Sequence, residues 1–193
     1  STKAVLRIGA NLQLLIHLLP HALESLRSGY PDLRFVLREG PTNTLIDALL
    51  AGDLDCTIGR LSTNARHAAA LAELRFWPLS GGELCLVVGR SHPLARRKRL
   101  TLQDLAGEAW ALGGTTGQAR KLLDQLFISA ELPPPQPILE CRPQFANLAF
   151  VANMQLVTVA TRSDALAAQE AGTVHILPIE LPVESAPVAF ICR

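Results

Sequence analysis

Along the first sixty residues the spacing of apolar positions changes several times. Residues 4–9 (AVLRIG) form a short apolar run suited to a buried strand. From 14 to 28, Leu15, Leu19, Ala22, Leu23 and Leu26 recur at helical spacing, with Glu24 and Arg27 facing outward. Pro20 lies inside that pattern, so the helix is either kinked there or begins close to it. Gly29 stops it, with Pro31 just beyond. Residues 33–37 alternate as a second strand. In EGPTNTLIDALLAGDLDCTIGR, residues 39–60, Thr42 or Asn43 can cap a helix. Its apolar face is Leu45, Ile46, Leu49 and Leu50, and Gly52 ends it. Residues 56–58 are a third strand. The order strand, helix, strand, helix, strand implies parallel strands joined by crossover helices.

Residues 62–72 are polar and Ala-rich, a loop or a loose helix. Strands are predicted at 74–79 and 83–88, about Gly81 and Gly82. Thr101 with Asp104 resembles a capping box. A strand at 110–112 runs into GGTTGQ and a helix at 119–129, with Leu122, Leu123, Leu126 and Phe127 on one face. Pro133, Pro134 and Pro135 break it. A strand at 138–141, a helix at 144–152 and a strand at 156–160 follow. Last come a helix at 163–171 and strands at 174–177 and 187–192. The pattern predicts an α/β fold of two units, residues 1–78 plus 162–193 and an inserted unit of residues 79–161. Chain crossings near 74–80 and 156–163 would form a hinge and a cleft.

Composition narrows the function. The 193 residues suffice for one large domain or two small ones. A net charge of +1 gives no global field for nucleic acid. No apolar run approaches the ~20 residues that span a bilayer, and no leader stands at the start. The chain opens Ser1-Thr2-Lys3 without Met, as a fragment of something longer would. Cys56, Cys85, Cys141 and Cys192 have neither metal-ligand spacing nor a CxxC, and read as small buried hydrophobes in a reducing cytosol. Cys141, between Glu140 and Arg142, is the best candidate for a redox role. His17 and His21 share a helical face as a metal pair or, without a third ligand, as solvated or dimer-facing residues. ARRKR at 95–99 has no interleaved aromatics and reads as a solvated surface. GxSxG, HExxH and a phosphate-binding loop are all missing, and GGTTG lacks the following Lys. These features point away from an enzyme and call for no cofactor.

Four segments carry a family resemblance by their order and spacing. They are LRIGA…LLPHALESLRSGYPDLRFVLREG, LIDALLAGDLDCTIG, ELCLVVGRSHPLARR…LTLQDLAGE and VANMQLVTVATRSDAL. Together they resemble, over nearly the whole chain, the effector-binding domain of LysR-type transcriptional regulators. That resemblance implies a type 2 periplasmic-binding-protein-like fold of two Rossmann-like subdomains with a hinge and an effector in the cleft between them. It implies a cytoplasmic sensor of a small metabolite, and the helix N-termini and Arg60 point to an anionic one. It also implies a head-to-tail homodimer, a tetramer in the full-length protein, and DNA contact only through an N-terminal domain not in this chain. In the dimer, helix 14–28 and strand 33–37 would meet helix 119–129 of the other subunit. His92 in RSHPLA belongs to the family pattern and structures a turn. The chain departs from the pattern at Asn153-Met154-Gln155-Leu156, where many members have Gly-Leu-Gly-Ile, and at Ala160, where a Pro would fall. The competing assignment is a periplasmic solute-binding protein for a transporter, which shares the fold.

In such folds ligands meet strand ends and helix starts. Four stretches qualify: Asn11, Leu12 and Gln13; Thr42, Asn43 and Thr44; Arg60; and Gly114, Thr115 and Thr116. By resemblance, Asn11, Gln13, Arg60 and the turn at 114–116 fall where members contact effectors. Amides and hydroxyls supply directional bonds, and a guanidinium grips a carboxylate with two. The structural alternatives are capping for Thr42, Thr115 and Thr116, turn stabilisation for Asn11 and Gln13, and a solvated Arg60. Phe145 either lines the cleft or packs in the core.

Overall fold

A computed structural model describes residues 4–60, 70–143 and 145–193. The chain divides into two compact units, residues 1–81 with 186–193, and residues 82–185. In the first unit, strands β1 (Val5–Ala10), β2 (Arg34–Glu39) and β3 (Cys56–Arg60) run parallel. Helices α1 (Leu12–His17), α2 (Leu19–Gly29) and α3 (Thr42–Ala51) connect them. β4 (Arg75–Ser80) forms the edge, and a last strand, Val188–Cys192, enters antiparallel between β3 and β4. Numbered in chain order that strand is β10, and the sheet reads β2-β1-β3-β10-β4.

Helix α3 covers one face of this sheet. Leu45, Ile46, Ala48 and Leu49 recur every three or four residues and pack with Leu54, Leu74, Ala189 and Ile191. Gly52, at φ 83°, turns the chain out of the helix and returns its N–H to the carbonyls of Ala48 and Leu49. On the other face Ile8, Ala10, Cys56, Ile58 and Val188 meet Leu14 of α1 and Leu19 of α2. The expected single helix at 14–28 is two. Leu18 interrupts it, and Pro20 sits in the first turn of α2, where its missing N–H costs nothing.

The second unit holds β5 (Leu84–Gly89), β6 (Trp110–Leu112), β7 (Pro137–Glu140), β8 (Val157–Thr161) and β9 (Val174–Ile176). Its helices are α4 (Gln118–Ser129), α5 (Ala146–Asn153) and α6 (Arg162–Glu170). The sheet order is β7-β6-β8-β5-β9. β6 runs parallel to its neighbours, and β5 antiparallel to both of its own. Phe127 of α4 meets Trp110 edge to face, with ring centroids 5.8 Å apart. Leu123, Leu86, Val88, Val157 and Val159 complete that core.

The expected division is corrected at its second boundary. Residues 162–185 belong with the second unit. β9 pairs with β5 over Val87–Gly89, and Ala165 of α6 is buried against Cys85, Val87 and Ala160. The second passage between units therefore falls at Ser185 and Ala186 rather than near 156–163. Most of the loop or loose helix expected at 62–72 lies outside the described residues, apart from one helical turn at Ala70–Glu73. Gln144, expected to open the helix that begins at Ala146, also lies outside them.

The capping box at Thr101 forms. Its N–H and its hydroxyl donate to Asp104 at 2.8 and 2.9 Å, and Arg97 pairs with the same carboxylate at 3.0 Å. These bonds hold the Asp104 carboxyl below its ordinary range, the backbone bond from Thr101 foremost. One member of ARRKR is thus committed to a structural pair.

His92 structures its turn as expected. Its Nδ1 accepts the Leu94 N–H at 3.2 Å, and its Nε2 lies 3.6 Å from Glu108. The ring is buried, and burial outweighs Glu108, so its pKa falls below the ordinary 6.5. The unfolded chain therefore takes up this proton before the folded one. Stability from this group is complete above pH 6.5 and is lost as pH drops below it, levelling once the folded form is protonated too. Urea unfolding across pH 5–7.5 is expected to slope downward on the acid side. His92→Asn, which keeps an acceptor for Leu94, is expected to remove His92's share of that slope.

Candidate functional site

Register sets which strand ends lie side by side. Ala10 pairs with Glu39 on one flank and with Ile58 on the other. The residues just after them therefore share the carboxyl edge of the three parallel strands. Asn11, Leu12 and Gln13 follow β1, Thr42 follows β2 by way of Gly40 and Pro41, and Arg60 ends β3. In the second unit Leu112 pairs with Glu140, so Gly114, Thr115 and Thr116 follow β6 at the edge where β7 ends. Phe145, half-buried, precedes α5. The expected residues thus form two sets, one on each unit.

Each unit-one candidate is also part of the local fold. Asn11 caps α1, its side-chain oxygen accepting the Leu14 N–H at 3.0 Å. Leu12 is 45% exposed, and Gln13 is half-buried. Arg60 is not a solvated rim residue. It is half-buried, and its Nη1 donates to the Ala186 carbonyl at 2.6 Å, which fixes where the guanidinium stands.

The capping expectations at 42–43 and 115–116 do not hold. Pro41 is the N-cap of α3, extended at φ −62° and ψ 142°, and has no side-chain bond to give. Thr42 is the first helical residue, and it packs on β3 at Gly59. A Cβ on Gly59 would overlap the Thr42 hydroxyl, and one on Gly9 would stand 2.7 Å from Leu54 and 2.9 Å from Leu45. Two glycines on neighbouring strands thus let α3 lie close to the sheet. In the second unit Gly117 is the N-cap of α4. Its N–H closes a turn onto the Gly114 carbonyl at 2.9 Å, leaving Thr115 and Thr116 exposed ahead of the helix.

One residue escaped the sequence reading. Asn147, in the first turn of α5, is fully buried, and neither its Nδ2 nor its Oδ1 has a hydrogen-bond partner among the described residues. It stands one turn before Val151, which packs with Cys85, Val87 and Ala111. The spacing of Asn147 and Val151 marks an amide on a buried helical stripe, and that was the available signal. A surface hollow in the second unit, bordered by Glu83, Arg162, Glu180 and Glu184, contains none of the expected residues. Its Arg162 pairs with Glu83 at 3.2 Å.

Other expectations change in detail. His17 ends α1 and His21 lies in α2, so they do not share one continuous helix. Among the described residues no group of three or more His, Cys, Asp or Glu is placed to hold a metal. No described helix is long and apolar enough to cross a membrane. Cys56 and Cys85 are buried, each thiol pushed up to about 11, mainly by burial. Cys141 and Cys192 are half-buried.

The LysR substrate binding domain family matches residues 1–193. This chain belongs to that family. HTH-type transcriptional regulator GalR of Pseudomonas putida is 29% identical over 200 residues, covering 99% of this chain and 47% of GalR. HTH-type transcriptional regulator GbpR of Azospirillum brasilense is 28% identical over 172 residues, covering 89% of this chain and 49% of GbpR. This LysR-family domain therefore spans about half the length of those relatives, which are regulators rather than enzymes. The BenM effector binding domain with its effector benzoate superposes with a TM-score of 0.73 at 25% identity, covering all of this chain and 85% of that one. The two α/β units are thus the type 2 periplasmic-binding-protein-like fold.

Three substitutions check this geometry. Gly59→Ala is expected to destabilise by roughly 1–3 kcal/mol through overpacking. Thr42→Ala is expected to relieve most of that loss in the double variant, measured as a coupling energy in urea unfolding. In the ligand-free domain, Asn147→Leu is expected to raise the unfolding midpoint, because a buried unpaired amide costs about 1–3 kcal/mol. A fall in the midpoint would mean that the amide is satisfied.

Proposed function

We propose that this domain is the effector-sensing part of a LysR-type transcriptional regulator and that its effector carries a carboxylate or a similar anion. The observation that carries the reading is the shared strand edge of Asn11, Gln13, Thr42 and Arg60, one guanidinium beside amide and hydroxyl groups. The tether to Ala186 supports it, because a held guanidinium loses less freedom on binding than a mobile one. The benzoate-bound BenM domain, a carboxylate complex in the same fold, supports the choice of an anion. Gly114, Thr115, Thr116 and Phe145 are the residues proposed to meet effector on the second unit. Effector binding shifts the protein between conformations in proportion to its difference in affinity for them. DNA is reached through the part of the regulator outside this chain, in the cytoplasm.

A homodimer belongs to the same proposal. Exposed apolar side chains gather on the elements expected to pair. Ile16, Leu18 and Tyr30 lie on or beside α1 and α2, Val36 and Leu37 on the edge strand β2, and Ile128 on α4. Uncovered edges of this composition favour pairing with another chain.

Thermal unfolding against a panel of carboxylates, aromatics, sugars and amino acids tests the reading. A ligand at 100 times its Kd is expected to stabilise the domain by about 2.7 kcal/mol, a shift of several degrees. A carboxylate is expected to give that shift and Arg60→Ala to abolish it. A neutral ligand whose shift survives Arg60→Ala would remove the anion and Arg60 from the proposal.

A further inference from the structure

We propose that Cys56 and Cys192 form a reversible cross-strand disulfide, so that the first unit carries an oxidation site of its own. The two thiols are 136 positions apart in the chain and directly opposed in the sheet, for antiparallel β10 meets β3 with Cys192 in register with Cys56. Residues paired in this way point to the same face. Both belong to the cluster that also holds Ile8, Ile58 and Val188. Opposed residues in an antiparallel pair have Cα atoms about 4.5 or 5.5 Å apart, according to the hydrogen-bonding position. Both distances fall inside the roughly 4.4–6.8 Å that a disulfide spans. Opposed Cβ atoms lie about 4.5–5.5 Å apart, near the upper end of the roughly 3.5–4.5 Å that a disulfide takes, so a small closing of the strand pair brings the sulfurs together. Cys85 lies in the other unit, buried in a different cluster, and Cys141 follows β7 there, so neither has this relation to a second thiol.

The two sulfurs differ in access. Cys56 is 4% exposed, and burial, with Asp55 and Cys192 adding to it, pushes its thiol up to about 11. Cys192 is half-buried, and its thiol donates to the carbonyl of Arg193 at 3.1 Å. Cys192 is therefore the thiol that meets an oxidant, and Cys56 the one that resolves the product. With a hydroperoxide as oxidant, the Cys192 thiolate attacks the terminal oxygen and the O–O bond breaks. Cys192 becomes a sulfenic acid, and the leaving oxygen takes a proton to give water or an alcohol. The Cys56 sulfur then attacks the Cys192 sulfur, the S–O bond breaks, and hydroxide leaves as water with the proton that Cys56 gives up. Two thiols are oxidised by two electrons and one peroxide is reduced. A thiol reductant reverses the change.

The site stands apart from the proposed effector contacts, since Cys56 opens the strand that Arg60 closes. A bond at Cys56 pins β3 to β10 at the end of their pairing opposite Val188 and Arg60.

Hydrogen peroxide on the purified chain tests the proposal by intact mass and tryptic mapping. The expected result is a loss of about 2 Da per chain. Peptide 39–60 should be found joined to peptide 163–193, with Cys85 and Cys141 still open to alkylation after denaturation. The oxidised chain is expected to unfold at a higher temperature than the reduced one, and dithiothreitol to restore the lower value. Cys141→Ser is expected to leave the link intact and Cys192→Ser to abolish it. Four free thiols after peroxide, a link through Cys85 or Cys141, or Cys192 oxidised to sulfinic acid without a link would each overturn the proposal.

Discussion

The first unit depends on a strand that arrives last. β10 lies between β3 and β4, and its backbone supplies hydrogen bonds to both. Its side chains alternate between the two cores. Ala189 and Ile191 join Leu45, Ile46 and Leu49 under α3, while Val188, Phe190 and Cys192 join the cluster packed by α1 and α2. Without β10, β3 would lose one flank and β4 its only sheet partner among the described residues. The carbonyl that tethers Arg60 belongs to Ala186, just ahead of this strand. Inserting an entire unit before it is tolerable because closure entropy grows only with the logarithm of loop length.

The second unit is built around β5. All six of its residues are buried, it pairs antiparallel with β8 and β9, and successive side chains alternate between two clusters. Polar groups inside this unit meet different fates. The Arg120 guanidinium is buried but held by both Asp124 oxygens, at 2.9 and 3.0 Å, and by the Pro135 carbonyl at 3.2 Å. Its charge is thereby compensated, although its Nη1 has no hydrogen-bond partner among the described residues. His92 stays neutral more readily than it would in water. Asn147 has no such compensation among the described residues, which separates it from ordinary core residues.

The candidate site is made of residues that also hold the fold in place. Asn11 caps a helix, Thr42 rests on Gly59, and Arg60 is bound to a backbone carbonyl. A group fixed by its own structural bond is already oriented when a ligand arrives, so less freedom is lost on binding. The structural and ligand readings of such residues are therefore compatible. The same edge geometry explains why the site gathers there. Parallel strands end together, and the helices that follow them start together.

Local spacing was enough to read the strands β1, β2, β3, β5 and β6, the apolar faces of α3 and α4, and the Thr101 capping box, while the turn role of His92 came from the family resemblance. Each follows from contacts within a few residues or from one side of one element. The N-caps were misread at Thr42 and at Thr115 and Thr116. Backbone geometry at Pro41 and Gly117, rather than the presence of a hydroxyl, decides where those helices begin. The placement of α6 and β9 was misread because both are amphipathic, and amphipathicity names a buried face without naming the sheet that buries it. Register and pairing are non-local. They put Ala10 between Glu39 and Ile58 and Cys56 opposite Cys192, and packing buries Asn147 of α5 without a hydrogen-bond partner among the described residues. The sequence by itself determined which elements form and which faces they bury, because those depend on neighbours along the chain. Only the tertiary structure decided which strand ends and which thiols meet, because that depends on sheet order across residues far apart in sequence.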